Sequence, residues 1–582
     1  MNTAEYLIKK LEELGITDIF GVPGDYNFNI LRVIENNPSV KWIGCTNELN
    51  AGYASDGYAR VKGYGALVTT QGAGELSAIN AVAGSFAENI PVVCITGLPS
   101  SKNIEKKAPL HHNFLEADYE CFHSMYKKIT CASAFLKRDN AKLEIDRVLK
   151  TLIKEKKPIY IAIPSDVALM EISDRNTDYS FISNKDTLKE AAEKISKKIN
   201  KSDKPVILGD ILVKRFDALT EYREFTAKSG IPVTNLLMGA NLISADYEKY
   251  LGGYFSSFKN PIAQKYVEDT DCLISVGVMY NDLNSLGLNL PLNINNHIAI
   301  YGTYTYIEGQ RFDNISMSDV LNAVTPLLRD RDISVEKPNI GYKPVSSDSS
   351  NLTSEYIYPR LQEFFKEKDV IICETGLLPY GMAQAKLPAS ADLQMQLIWA
   401  SIGWATPASL GANIARPQSR VILITGEGAH QMTALEIGTI LRHELKPIII
   451  VLNNNGYTTE RLLSGNPDEK FNNIMQMNYA KFARTFQGDI WATKVNTADD
   501  FDKALKVTQI MNKMCYIEIC TEQTDAPDLI TDLAKSVQET EAAFYTEENF
   551  SEDIKQQNQE FNDTDKDCSF EYETIVHKKI EA

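Results

Sequence analysis

Short runs of β-branched and other apolar residues, each closing at a Gly or Pro turn, alternate with stretches of helical periodicity along most of the chain. Residues 16–22, 66–70, 92–96 and 159–164 are such runs, followed by 206–209, 273–277, 370–373, 421–425 and 448–452. Runs without polar alternation need cover on both strand faces, the environment of a parallel sheet held between two helical layers. The pattern predicts an α/β fold of doubly wound parallel-sheet units. Residues 1–15 predict an amphipathic helix with Leu7, Ile8, Leu11 and Leu14 on one face, without the continuous apolar segment of a leader peptide.

Two polar stretches interrupt the alternation: 174–186, rich in Asp, Asn and Ser, and 332–352, with Pro, Ser, Asp and Gly. Read as linkers, they divide the 582 residues into units at 1–178, 187–331 and 353–540, each of ordinary domain size. Residues 541–582 follow as an acidic tail, expected to be a surface arm. The net charge of -17 opposes nucleic acid and anionic lipid as partners, and no apolar run reaches the length of a membrane span. Nine cysteines without a Cys-x-x-Cys pair point to reduced thiols and a cytoplasmic setting, not to disulfides or zinc.

The densest candidate chemistry lies in the third unit. The run at 421–425 leads into Gly426-Glu427-Gly428-Ala429, expected as a turn. A helix with Met432, Leu435, Ile437, Ile440 and Leu441 as its apolar stripe comes next. The run at 448–452 then opens into Asn453-Asn454-Asn455-Gly456. This is a βαβ unit with polar groups at the carboxyl ends of both strands, where open α/β sheets bind ligands. Glycines let backbone N–H groups approach a phosphate, and a carboxylate with an Asn carbonyl offers hard oxygen ligands to Mg²⁺. Gly and Asn are also common in turns, and a single Gly-x-Gly would mean no more than that. Its pairing with Asn-Asn across one crossover favours a phosphate and metal site.

This segment, continuing through Tyr457-Thr458-Thr459-Glu460-Arg461, resembles the diphosphate-binding motif of the pyruvate and indolepyruvate decarboxylase family. Four further motifs in the family's order carry the resemblance from about residue 3 to about residue 530. They are Gly21-Val22-Pro23-Gly24-Asp25-Tyr26-Asn27, Cys45-Thr46-Asn47-Glu48-Leu49-Asn50-Ala51-Gly52-Tyr53-Ala54, Leu110-His111-His112 and Trp399-Ala400-Ser401-Ile402-Gly403. The resemblance implies pyrimidine-binding, middle Rossmann-like and diphosphate-binding domains. It implies non-oxidative decarboxylation of 2-oxo acids to aldehydes with thiamine diphosphate and Mg²⁺. It also implies a homodimer or homotetramer with active sites at the subunit interface.

By the same resemblance Asp25, Glu48, His111, His112 and Glu460 are catalytic, with Glu48 bonded to a pyrimidine nitrogen of the cofactor. Thr375, Ala400, Ser401, Ile402, Gly428, Ala429, Asn454, Gly456 and Thr459 hold the cofactor, Ile402 as its prop and Ala400 through its carbonyl. Glu427, Asn454 and Gly456 are the metal ligands. Read as residues alone, Asp25 could be a helix cap and Glu460 a carboxylate in a helix's first turn. Glu48 could be a surface salt-bridge partner. His111 and His112, adjacent in an extended segment, should point in opposite directions. His430 is expected to be structural.

Two departures from the family pattern change the expectation. Glu427 stands where the family has Asp, and the extra methylene predicts a weaker or altered metal preference, because Mg²⁺ tolerates little geometric error. Leu283 and Pro379 stand where pyruvate specialists carry large aromatics, with Thr459 and Leu463 at other pocket positions. A larger pocket predicts branched or aromatic substrates such as 2-oxoisovalerate, phenylpyruvate and indolepyruvate. An acetolactate-synthase-like carboligase, or a catalytically weakened homologue with a binding role, are the competing readings. The histidine pair and Glu460 weigh against the first. The middle unit lacks Gly-x-Gly-x-x-Gly, so no bound nucleotide is expected there.

Overall fold

The computed structural model describes residues 1–173, 177–255, 260–285 and 293–546 and contains three sheets, each flanked by helices. The first comprises β1 (Asp18–Gly21), β2 (Lys41–Gly44), β3 (Gly65–Thr70), β4 (Val92–Leu98), β5 (Ala132–Phe135) and β6 (Ile159–Pro164). Its strands are all parallel, in the order β2-β1-β3-β4-β6-β5. The second comprises β7 (Pro205–Gly209), β8 (Val233–Asn235), β9 (Tyr250–Gly253), β10 (Cys272–Val276), β11 (His297–Ile300), β12 (Tyr304–Ile307) and β13 (Gln310–Asp313). Its order is β13-β12-β11-β10-β7-β8-β9, and β12 and β13 add antiparallel at one edge. The third comprises β14 (Val370–Cys373), β15 (Asp392–Gln394), β16 (Val421–Gly426), β17 (Ile448–Asn453), β18 (Ile490–Val495) and β19 (Met514–Cys520). It is wholly parallel, ordered β15-β14-β16-β17-β19-β18.

The first and third sheets therefore repeat one topology, strand for strand. In each the chain leaves the first strand in one direction and returns on its other side, which opens a crevice at the carboxyl ends of neighbouring strands. The crevice lies between β1 and β3 in the first unit and between β14 and β16 in the third. Apolar strands inside both sheets are covered on both faces: β6 and β14 are buried throughout.

The first and third units are joined by a shared core. Phe20, Tyr53 and Tyr58 pack in one cluster with Trp404, Leu410, Leu423 and Ile449. The helix Glu48–Lys62 lies against Ala405–Ala415 so closely that glycines are needed at the crossing. A Cβ on Gly57 would sit 2.2 Å from the Ala408 carbonyl, and one on Gly411 would sit 1.9 Å from that of Ala54.

Several expectations are corrected. The segment Gly426 to Ala429 is not a free turn: Gly426 caps a helix running Glu427–Thr433. The single helix expected after it is broken, and a second runs Glu436–Arg442. The break divides the stripe, since Ile437, Ile440 and Leu441 are buried while Met432 and Leu435 are exposed. Residues 185 and 186, expected in a linker, already belong to the helix Lys185–Lys201, which Asn184 caps. Residues 174–176 of that linker and 547–582 of the tail lie outside the described residues, and 541–546 continue the helix Asp528–Thr546. The described cysteines are all free, and no helix among the described residues is long and apolar enough to cross a membrane.

Candidate active site

In the third-unit crevice, Glu427 begins its helix directly after β16 and is 1% exposed. Its Oε1 accepts the Gly456 N–H at 2.7 Å. Burial pushes its carboxyl up to about 7, against the pull of backbone N–H groups from Gly456, Glu427, Asn454 and Asn455. Those donors converge because Asn455 and Gly456 take φ of 65° and 132°, folding the loop after β17 into a backbone concavity. Asn453 is anchored from below, its Nδ2 donating to the buried Glu518 Oε1 at 2.9 Å.

The space is set by absent side chains. A Cβ on Gly428 would meet the Tyr457 ring at 2.5 Å, while one on Gly426 would meet nothing within 4 Å. Gly376, with φ 98°, lies against Thr459 Oγ1, which a Cβ there would meet at 3.4 Å. Thr375 precedes it, and its N–H donates to Glu374 Oε1 at 3.2 Å.

Arg461 supplies a feature that the motifs did not single out. It is 1% exposed, and its Nη2 donates to the Asn455 carbonyl at 3.2 Å and to Asn473 Oδ1 at 2.7 Å. Its Nε and Nη1 have no hydrogen-bond partner. A guanidinium with two unpartnered nitrogens, beside a buried carboxylate and converging N–H groups, fits a site for a divalent ion and a diphosphate. The sequence cue was a cation immediately after Glu460, at a helix start otherwise rich in hydroxyl residues.

Glu374 was missed for a different reason, since it looks like the polar end of an apolar run. It is fully buried, and its Oε2 accepts the Gly403 and Ala405 N–H groups, both at 3.2 Å. Burial raises its carboxyl to about 7. It thereby clamps the segment Ala400 to Gly403, in which Ala400 and Gly403 take φ of 53° and 93°. Within that segment Ser401 donates to Gln396 Oε1 and accepts from Tyr53 Oη, both at 2.9 Å. Ile402 is partly buried, and the Ala429 carbonyl approaches Gly403.

Glu460 is exposed in the first turn of the helix Thr458–Ser464, which also carries Thr459 and the partly buried Leu463. Glu460 and Asp282 both lie within electrostatic range of Tyr380, whose hydroxyl is raised to about 12, chiefly by burial. Pro379 is buried beside Tyr380, and Leu283 packs against the cluster containing Leu377, Leu378 and Tyr380. Leu283 and Pro379 therefore border the cluster around Tyr380, and Thr459 and Leu463 share the helix of Glu460.

In the first-unit crevice, Asp25 is not a helix cap. Gly24 holds that position, and Asp25 begins the short turn Asp25–Asn27. Its Oδ2 is 3.1 Å from His111 Nε2. Tyr26 stacks on His111 with ring centroids 5.0 Å apart. The two histidines do not point apart as an extended segment would require. Their rings are 4.6 Å apart because His112 has φ 60°. The ligand atoms of Asp25, His111 and His112 all lie within 4.8 Å of one another. Gly72, with φ 66°, makes room for this turn, since a Cβ there would be 2.0 Å from the His112 carbonyl.

Glu48 is the first residue of its helix and half-buried. Its Oε1 would be 3.0 Å from a Cβ on Gly74, which Thr70 also touches, and Thr70 in turn packs on Gly24. Glu48 therefore borders the same crevice as Asp25. Among the described residues, no hydrogen bond or ion pair joins Asp25, Glu48, His111 or His112 to Glu427, Asn454 or Glu460. His430 is fully buried, with Nδ1 2.9 Å from Thr406 Oγ1, and desolvation lowers it to about 3. That is a packing role.

Three domain families of thiamine pyrophosphate enzymes match successive stretches of the chain. The N-terminal TPP binding domain of thiamine pyrophosphate enzymes matches residues 1–119. The central domain of those enzymes matches 192–317, and the C-terminal TPP binding domain matches 375–519. An alpha-keto-acid decarboxylase of Mycobacterium avium is 34% identical over 542 residues, 91% of this chain and 96% of that protein. A pyruvate decarboxylase of Kluyveromyces lactis is 33% identical over 561 residues, 92% of this chain and 98% of that protein.

Proposed function

The chain belongs to the thiamine-diphosphate-dependent decarboxylase family that contains pyruvate and alpha-keto-acid decarboxylases, and from that premise we propose a substrate class, a metal and roles for its residues. The substrates are branched or aromatic 2-oxo acids, converted to aldehydes and carbon dioxide, and the metal is Mg²⁺ or a slightly larger divalent ion. The observation that carries the reading is the third-unit crevice, with Glu427 buried under converging N–H groups beside Arg461, whose Nε and Nη1 have no hydrogen-bond partner among the described residues.

Glu427, Asn454 and the Gly456 carbonyl hold the ion, and Thr375, Gly428, Ala429 and Thr459 surround the diphosphate. Thiamine diphosphate, when bound, would supply a nucleophilic ring carbon for the keto group and a cationic ring that takes up the electron pair left when carbon dioxide departs. With the cofactor bound, Glu48 would hydrogen-bond a pyrimidine nitrogen, the Ala400 carbonyl would accept from the cofactor's amino group and Ile402 would prop the cofactor. Asp25, His111, His112 and Glu460 move protons to and from the substrate oxygen and the carbon that becomes the aldehyde. Leu283 and Pro379, small for their positions, leave room for a branched or aromatic side chain.

Among the described residues, Asp25, Glu48, His111 and His112 make no hydrogen bond or ion pair to Glu427, Asn454 or Glu460 of the same chain, which supports completion of each site by a second copy. Met432 and Leu435, 53% and 59% exposed next to the Glu427 helix, support the same arrangement as a homodimer or homotetramer. Free cysteines are in keeping with a cytoplasmic setting.

The test is an aldehyde assay with thiamine diphosphate and Mg²⁺ on pyruvate, 2-oxoisovalerate, phenylpyruvate and indolepyruvate, with Glu48→Gln as control. Aldehyde from the bulkier acids, lost in the control by roughly 100-fold or more, is the expected result. Pyruvate far ahead of the others would overturn the substrate assignment, and an acetolactate-type product in place of aldehyde would overturn the reaction.

A further inference from the structure

A cleft of about 530 Å³ lies where the three units meet, and none of its lining residues belongs to the candidate active site. The first unit contributes Arg60 and Lys62, the middle unit Lys214, Arg215 and Arg223, and the third unit Arg416. Against these six cations the lining holds only two carboxylates, Asp217 and Asp392. In a chain of net charge -17, so strong a local excess of positive charge is opposite to the surface as a whole. Low-dielectric walls focus such a field into the cleft.

The carboxylates do not neutralise the cations. Asp217 is paired outward with Lys156 at 2.9 Å. Asp392 is shared between Lys214 and Arg416, each at a long 3.5 Å. Deeper in, Arg60 and Arg215 share Glu88 at 3.5 and 3.1 Å, with side chains 0% and 6% exposed. Arg60 Nε is also held by the buried Asp56 at 2.6 Å, whereas among the described residues Arg215 Nη1 has no hydrogen-bond partner. Desolvation, reinforced by the neighbouring Arg60, pulls Arg215 down to about 10 against the opposing pull of Glu88 and Asp56. Asn89, Asn241, Thr220 and Ser390 add neutral polar groups around the wall.

We propose that this cleft is a binding site for a compact phosphorylated metabolite, bound as a multivalent oxyanion between the three units. The six cations face Asp56, Glu88 and Asp392, and this surplus of three positive charges exceeds what a single carboxylate needs, while planar guanidinium forks with mobile ammonium groups suit a phosphate's several oxygens. The volume admits a phosphate monoester larger than the free ion. This site is independent of the reaction assigned above.

The experiment uses protein saturated with thiamine diphosphate and Mg²⁺, so that the diphosphate crevice is filled. Inorganic phosphate, AMP and acetate are titrated calorimetrically against chloride of equal ionic strength. Phosphate and AMP should bind saturably, one per chain, and acetate much more weakly. Lys62→Glu/Lys214→Glu should weaken phosphate binding by about tenfold or more while leaving decarboxylation at its basal rate. Asp392→Asn removes a carboxylate and should tighten phosphate binding several-fold, so the proposal stays testable if the charge-reversed variant folds poorly. Heats no larger than those of chloride, equal binding of acetate and phosphate, or affinities unmoved by either substitution would overturn it.

Discussion

The first and third sheets have the same strand order, and their candidate residues sit at the same crevice, yet the two are built in opposite ways. In the third unit the carboxylate is buried at 1% exposure, and the loop facing it presents backbone N–H groups and a buried guanidinium. In the first unit Asp25 and His111 are about half exposed, at 46% and 57%, and are brought together by a left-handed His112 and ring stacking. One crevice is a preorganised electrostatic cradle, suited to a group that remains bound. The other is an open set of titratable side chains, suited to groups that exchange protons and release product. Shared topology dictates where each site lies and leaves its chemistry to a few loop residues.

The sharpest way to break this comparison is to spoil each crevice at its own glycine. Gly456→Ala places a Cβ 2.4 Å from the Asn472 carbonyl, against the Arg461 guanidinium, at φ 132°. The loop must refold, and Glu427 loses its 2.7 Å donor. We expect a loss of about 3 kcal/mol or more in the loop's native arrangement, read as loss of the thermal shift with thiamine diphosphate and Mg²⁺. Gly72→Ala displaces the His112 carbonyl and should cut turnover as severely while leaving that shift in place. Loss of cofactor retention in both variants would show that the two crevices are not separate devices.

A smaller effect tests the support beneath the open crevice. Glu75 Oε1 accepts the Gly72 N–H at 2.8 Å, and its Oε2 accepts the Tyr160 hydroxyl at 2.5 Å. Burial raises this carboxyl to about 7 from an ordinary 4.5. Between those values the folded protein holds a proton that the unfolded chain releases. The resulting stability is therefore full below the ordinary value and lost as pH rises through 7. Glu75→Gln should remove roughly 2 kcal/mol of this pH dependence, seen as a flatter melting temperature between pH 5 and 7. An unchanged slope would place the buried charge elsewhere, and Glu374 and Asp210 shift in the same direction.

What the sequence showed and what it hid follow from burial. Strands covered on both faces were legible because every residue is apolar, so 159–164 and 370–373 end where expected. Edge strands were not: β2 begins with an exposed Lys41, and β18 alternates through Lys494. The motif residues were legible as glycines and carboxylates at strand ends. Their conformations were not, because the turn at His112 depends on Gly72, forty residues earlier in the chain. Met432 and Leu435 fitted a helical stripe, but the break after Thr433 leaves both in solvent. Arg461 was invisible as a buried group, since local pattern places a helix-start Arg at the surface and only Asn455 and Asn473 draw it inward.

Glu427 sharpens the comparison from the cradle side. Its reach already satisfies the Gly456 N–H, so a bound ion must sit where a longer arm can meet it. Glu427→Asp should raise the preference for Mg²⁺ over Ca²⁺ by about tenfold, near 1.4 kcal/mol. Metal titrations of cofactor-loaded protein measure this directly, and tight Mg²⁺-selective activation of the unaltered enzyme would remove the basis for it.

The smallest effect comes from the strain in the open crevice, and it separates stability from activity. His112 at φ 60° sits where glycine is at ease and a Cβ is mildly disfavoured. His112→Gly should therefore leave the fold unharmed, or stabilise it by up to about 1 kcal/mol, while removing the imidazole that sits 4.6 Å from His111. Denaturant unfolding read beside decarboxylation should show the two moving in opposite directions. A Gln at the same position keeps the strain and loses the ring, so it should lose activity without any gain in stability. If His112→Gly instead unfolds the protein, the left-handed turn is held by the imidazole's own contacts, and the open crevice is as firmly built as the cradle.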